Sequence, residues 1–171
     1  LGGTAIDTVV ADGGLQAVSG GTAIRTALRG GSQFLYSGAT AVSAAVAGGL
    51  MRMQSGAESY DAMLLGGSMR IESGPAFRTT AASGARILLA AGIPAASESL
   101  ILAGGTETIQ AGRSVSATVY GLQMLSGGSA EHASVMAGGN VAFGSAGSAE
   151  GATVDVMAGG DITQDGAELP V

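Results

Sequence analysis

The chain has 171 residues, enough for one ordinary domain, and is 46% hydrophobic but only 4% aromatic, so any interior must be built from Ala, Val, Ile, Leu and Met. Seven basic residues, scattered against thirteen acidic ones, give a net charge of −6 and no basic stripe, which argues against nucleic acid as a partner. The absence of Cys removes disulfides, thiolate metal sites and thiol nucleophiles together, and apolar stretches broken by Gly and Ser offer nothing for direct membrane insertion.

From the N-terminus, Gly2, Gly20, Gly38, Gly56, Gly74 and Gly92 recur every 18 residues. A second series lies between them at Gly13, Gly30, Gly48, Gly66, Gly84, Gly104, Gly121, Gly138 and Gly159, spaced by 17 to 21 residues. Each repeat therefore predicts two glycine corners, where a residue at positive φ is cheap only for Gly. Where the second member of a pair is replaced, as by Ala39, Ala57, Pro75, Ala85 or Ile93, the first stays Gly, so the first is expected to carry the unusual torsion.

Between the corners of the regular repeats, the columns Ile6/Ile24/Val42/Tyr60, Thr8/Thr26/Ala44/Ala62 and Val10/Leu28/Val46/Leu64 alternate with the polar column Asp7/Arg25/Ser43/Asp61. Period 2 reads as one half-buried strand with the first three columns inward and the polar column in water. The alternation returns after the second corner in Met51 and Met53, Met69 and Ile71, and Ile87 and Leu89, with Arg52 and Arg70 on the opposite face. Paired glycines such as Gly48-Gly49 and Gly66-Gly67 would cost a helix about 1 kcal/mol per residue. Each strand also resembles the one a whole repeat later more than its neighbour in sequence, which excludes a meander of hairpins.

The expected fold is all-β, a right-handed parallel β-helix (β-solenoid) of about nine coils of roughly 18 residues with Gly corners, about 4.8 Å apart. Small Thr and Ala in the middle column predict a flattened cross-section. The chain reads as a single solenoid over residues 1–171, regular at 2–92 and less regular at 93–171, where Gly112, Gly127 and Gly147 are the plausible corners. No basic segment followed by an apolar one opens the sequence, so an excised or mature fragment is expected.

The pattern GGTAIDTVVADGGLQAVSGGTAIRTALRGGSQFLYSG at residues 2–38 resembles the repeats of AIDA-type and TibA-type self-associating autotransporter adhesins. That resemblance covers nearly the whole chain and is strongest from Gly2 to Gly92. It implies a passenger rod at the surface of a Gram-negative bacterium, exported through periplasm and outer membrane. Its implied partners are like molecules on neighbouring cells and a host-cell surface receptor or glycan, through which the family mediates adhesion, self-aggregation and biofilm formation. It also implies a protein O-heptosyltransferase acting on outward hydroxyls, with Thr4, Thr22, Thr40, Ser43, Ser59 and Ser68 as candidates.

Catalytic, metal and cofactor chemistry finds little support. His132, the single histidine, sits beside Glu131 in GGSAEHASVMAGG, but neighbouring strand residues face opposite ways and cannot converge. Asp7, Arg25 and Asp61 share a column without forming the carboxylate cluster that a polysaccharide lyase or hydrolase needs, which is the alternative function this architecture admits. The Asp that closes calcium-binding nonapeptide repeats is missing. Thr4, Thr22 and Thr40 form a short ladder interrupted by Glu58 and Ala76, best read as cross-coil hydroxyl bonding. Met51, Met53, Met63, Met69, Met124, Met136 and Met157 are spread along the rod as gap fillers or face residues, not a metal site. The chain is expected not to be an enzyme and to hold no cofactor.

Overall fold

A computed structural model describes residues 2–54, 56–90, 94–144, 154–156 and 159–164. Its described secondary structure is entirely β, and every strand pair is parallel and joins residues one repeat apart. Thr4 pairs with Thr22, Thr22 with Thr40 and Thr40 with Glu58, each 18 residues on. The chain is a parallel β-solenoid. Gly92, Ile93, Gly147 and Met157 lie outside the described residues.

Each coil has three strands and three corners rather than two glycine corners. A short front strand, such as Thr22–Ile24, ends at a residue with φ between 53° and 57° that is not glycine. Asp7, Arg25, Ser43, Asp61, Arg78, Glu98, Ser116 and His132 hold this position in eight successive coils. The left-handed conformation costs an L-residue about 1–2 kcal/mol. The bend nevertheless keeps the hydrogen-bond ladder unbroken: the corner N–H groups of Asp7, Arg25, Ser43 and Asp61 donate to the carbonyls of Ile24, Val42, Tyr60 and Phe77, at 2.8–3.0 Å.

That third corner overturns one part of the period-2 reading. A left-handed residue between two strands reverses which parity faces in, so residues three apart across the bend share a side. The inward file of the front strand is Ala23, Ala41, Ser59, Ala76, Ala96, Ser114 and Ala130, all buried. Ile6, Ile24, Val42 and Tyr60 point outward, with Ile6 55% exposed. Beyond the corner the expected inward files hold, through Thr26, Ala44 and Ala62 and then Val10, Leu28, Val46 and Leu64.

The remaining two faces form one sheet, joined by bent strands Ala27–Leu35 and Ala45–Met53. Met51, Met53, Met69, Ile71, Ile87 and Leu89 are fully buried there, and Arg52 and Arg70 face out. Bulky files thus oppose Ala, Ser and Thr files across the interior. Each fully buried large side chain contributes about 1.5–3 kcal/mol, and like stacked on like leaves few voids.

Glycine carries the positive φ at most corners and usually as the first of a pair, as at Gly13, Gly20, Gly30, Gly104 and Gly138. At Gly48-Gly49 it is the second, with φ 84°, and a Cβ there would strike the Gly31 carbonyl oxygen of the coil before. Neither member of Gly66-Gly67 or Gly127-Gly128 has a positive φ, because those corners turn with ordinary torsions and need glycine for close approach to the adjacent coil.

Candidate interaction faces and modification sites

The outer front face follows from the corner geometry. Residues one before each bend form an outward file of Ile6, Ile24, Val42, Tyr60 and Phe77. The Tyr60 and Phe77 rings stack at 5.0 Å between centroids with 14° between planes. The Tyr60 hydroxyl donates to Glu58 Oε2 at 2.9 Å, and that bond raises the phenol above its usual range. Sequence alternation alone placed this file inside. The polar column beside it gives no signal of the bend, because Asp7, Arg25, Ser43 and Asp61 are as well solvated at a corner as in mid-strand.

The corner file carries the charge. Arg25 donates to both Asp7 oxygens, at 2.6 and 2.8 Å, and Arg78 to both Asp61 oxygens, at 2.6 and 3.1 Å. These hydrogen bonds hold the Asp7 and Asp61 carboxyls below the ordinary carboxylate range. The pairs are exposed, so solvent screens them and they carry little of the stability. On another face, Glu72 accepts from Gln54, Arg52 and Arg70 at 2.8–3.1 Å, which lowers its pKa to about 2. Arginine-engaged carboxylates of this kind are poor proton donors, and among the described residues no group of three His, Asp or Glu is placed to hold a metal ion.

The hydroxyls divide. Thr4 and Ser43 are exposed, and Thr22, Thr40 and Ser68 half-buried. Ser59 is a correction: it belongs to the inward file, with no exposure and no hydrogen bond to its Oγ, so no enzyme reaches it in the folded rod. Its parity was misread with that of Tyr60, and for the same reason. His132 is an exposed corner residue with φ 53°, and Glu131 precedes it in the front strand, where Arg113 donates to it at 3.3 Å.

Amide and carboxyl side chains also enter the interior, beside the Thr26 file that the alternation places there. Gln33 donates to Gln16 Oε1 at 2.7 Å, and Thr26 to the same oxygen at 3.1 Å. Four coils on, Glu107 is fully buried, with Oε2 accepting from Gln123 at 2.7 Å and Ser114 at 3.0 Å. Burial outweighs those bonds and raises the Glu107 carboxyl. Of the methionines, Met51, Met53 and Met69 fill the core, Met136 is half-buried, and Met63 and Met124 are exposed.

No protein-family model and no curated protein matches this chain. Among solved structures it is similar to the crystal structure of a TibA fragment hyper-glycosylated by TibC, with a TM-score of 0.56 and 22% identity over 95% of this chain and 82% of that one. The likeness is one of fold: this chain has a TibA-like β-solenoid.

Proposed function

We propose that this chain is a passenger rod of a self-associating autotransporter adhesin, displayed at the bacterial surface. The observation that carries the reading is a continuous stack of eight front strands whose outer surface presents apolar, aromatic and charged files without convergent catalytic groups. The TibA-like fold over 95% of the chain supports it. A flat repeated surface suits lateral binding to a like molecule or to a host receptor, because identical spacing lets weak contacts add along the rod. Export through periplasm and outer membrane, autoaggregation and biofilm formation follow from the same reading.

The hyper-glycosylation of the TibA fragment favours an added role as acceptor for a protein O-heptosyltransferase. Thr4, Thr22, Thr40, Ser43 and Ser68 are the acceptors proposed here, since their side chains reach solvent to some degree. Cells displaying the chain should clump, and replacing Ile24, Val42 and Tyr60 with Ser should reduce clumping. Unchanged clumping would overturn the adhesive reading. Intact mass after co-expression with such a transferase tests the acceptor role, with added heptose units expected.

A further inference from the structure

Coil length varies at the second corner, and one coil falls short. Leu102 to Gly105 separate the strands that end at Ile101 and begin at Thr106, and Met136 to Gly139 separate Val135 from Asn140. In the coil between them only Tyr120 and Gly121 lie between Val119 and Leu122. Neighbouring long corners elsewhere bond to each other, Gly84 N–H to the Gly104 carbonyl at 2.9 Å and Gly138 N–H to the Gly159 carbonyl at 2.7 Å. Across the short coil this ladder is broken. The Gly104 N–H and the Gly138 carbonyl have no backbone partner among the described residues, and they flank a gap two coil spacings wide, about 9.6 Å.

The gap is a groove of about 320 Å³ lined by Gly104, Thr106, Tyr120, Gly121, Gly138 and Asn140. Tyr120 is 38% exposed and also borders a second, apolar groove with Leu100, Leu102 and Thr118. The Asn140 carbonyl accepts from the Thr163 hydroxyl at 3.2 Å, and the Asn140 side chain lines the groove with its amide. No charged side chain lines either groove. One aromatic ring, aliphatic groups on one side, and neutral donors and acceptors on the other match a ligand that has an apolar face and a hydroxylated rim.

We propose that this notch binds a neutral glycan, one pyranose ring lying against Tyr120 with its hydroxyls on the Gly104 N–H, the Gly138 carbonyl and Asn140. The uncharged lining disfavours sialylated or sulfated sugars, whose charge would lose water without gaining a counter-charge. The proposal deepens the adhesive reading and rests on it for its purpose, by assigning receptor binding to one notch and leaving cell-to-cell association to the front face.

The test is titration of the purified chain with methyl glycosides of glucose, galactose and mannose and with neutral oligosaccharides, followed by the amide resonances of Gly104, Gly121 and Gly138. Sialylated and sulfated oligosaccharides serve as charged counterparts. Saturable shifts at these amides with a neutral sugar are expected, weakened at least tenfold in Tyr120→Ala and abolished when Ala-Gly is inserted between Tyr120 and Gly121 to restore the corner. Tyr120→Leu keeps the volume without the aromatic face and serves if the Ala variant does not fold. No saturable shift with any neutral sugar, equal binding by the variants, or preference for charged sugars would overturn the proposal. Clumping of cells displaying Tyr120→Ala separates the two readings, because it should persist if the front face associates and vanish only if that assignment is wrong.

Discussion

Replacing Glu107 with Gln should stabilise the rod at neutral pH and leave it little changed near pH 4. Glu107 is fully buried between Ile87 and Gln123 in one interior file, and the groups that bond to it, Gln123, Ser114 and Ser99, are all neutral. Burial therefore raises the carboxyl, and the folded chain keeps a proton that the unfolded chain releases above about pH 4.3. Because the folded state binds more protons, stability falls by about 1.4 kcal/mol for each pH unit from there up to the raised folded value, then levels off. Gln has the same shape, keeps an oxygen to accept from Gln123 and Ser114, and does not titrate. Urea unfolding followed by far-UV circular dichroism between pH 4 and pH 8, with the difference between variant and parent plotted, measures this term apart from the other carboxylates. A difference that is flat with pH, or that favours the parent more as pH rises, would refute a buried neutral acid at this position.

Three further outcomes follow from the packing and the corners. Ala41→Leu adds volume to the inward front file, where the interior is narrow, and should cost about 1–3 kcal/mol or more in urea unfolding. Gly49→Ala combines a positive φ with a collision at the Gly31 carbonyl and should lower stability by more than about 1 kcal/mol, read as a fall in thermal midpoint, whereas Gly48→Ala should cost less. Glu72→Gln removes a carboxyl whose pKa is lowered to about 2, so its contribution is present above the unfolded value, about 4.3, and is lost as pH falls towards 2. Solvent around the Arg52 and Arg70 partners holds that contribution to about 1 kcal/mol, and acid titration of variant against parent should show the two curves converging below pH 3.

The solenoid itself was legible because like stacks on like. The Val10/Leu28/Val46/Leu64 file and the Met51–Met69–Ile87 file reappear as paired positions one coil apart, and the 18-residue period as the offset from Thr4 to Thr22, Thr40 and Glu58. The candidate hydroxyls were legible only in part. Thr4, Thr22, Thr40, Ser43 and Ser68 reach solvent and Ser59 does not. The notch beside Tyr120 left a trace in the sequence as the shortened spacing from Gly104 to Gly121, but spacing alone does not say which corner lost the residues.

Repetition in the sequence determined that coils stack in register, since translation by one repeat maps each residue onto its equivalent whatever the path between. The path around each coil was decided by the tertiary structure. A left-handed bend at Asp7, Arg25, Ser43 and Asp61 inverts the parity of inward and outward side chains, and a one-dimensional alternation carries no mark of such an inversion. The physical reason is that a polar residue in mid-strand and a polar residue at a corner are equally well solvated. Only closing the ring around a packed interior, with backbone hydrogen bonds satisfied to the next coil, selects between them.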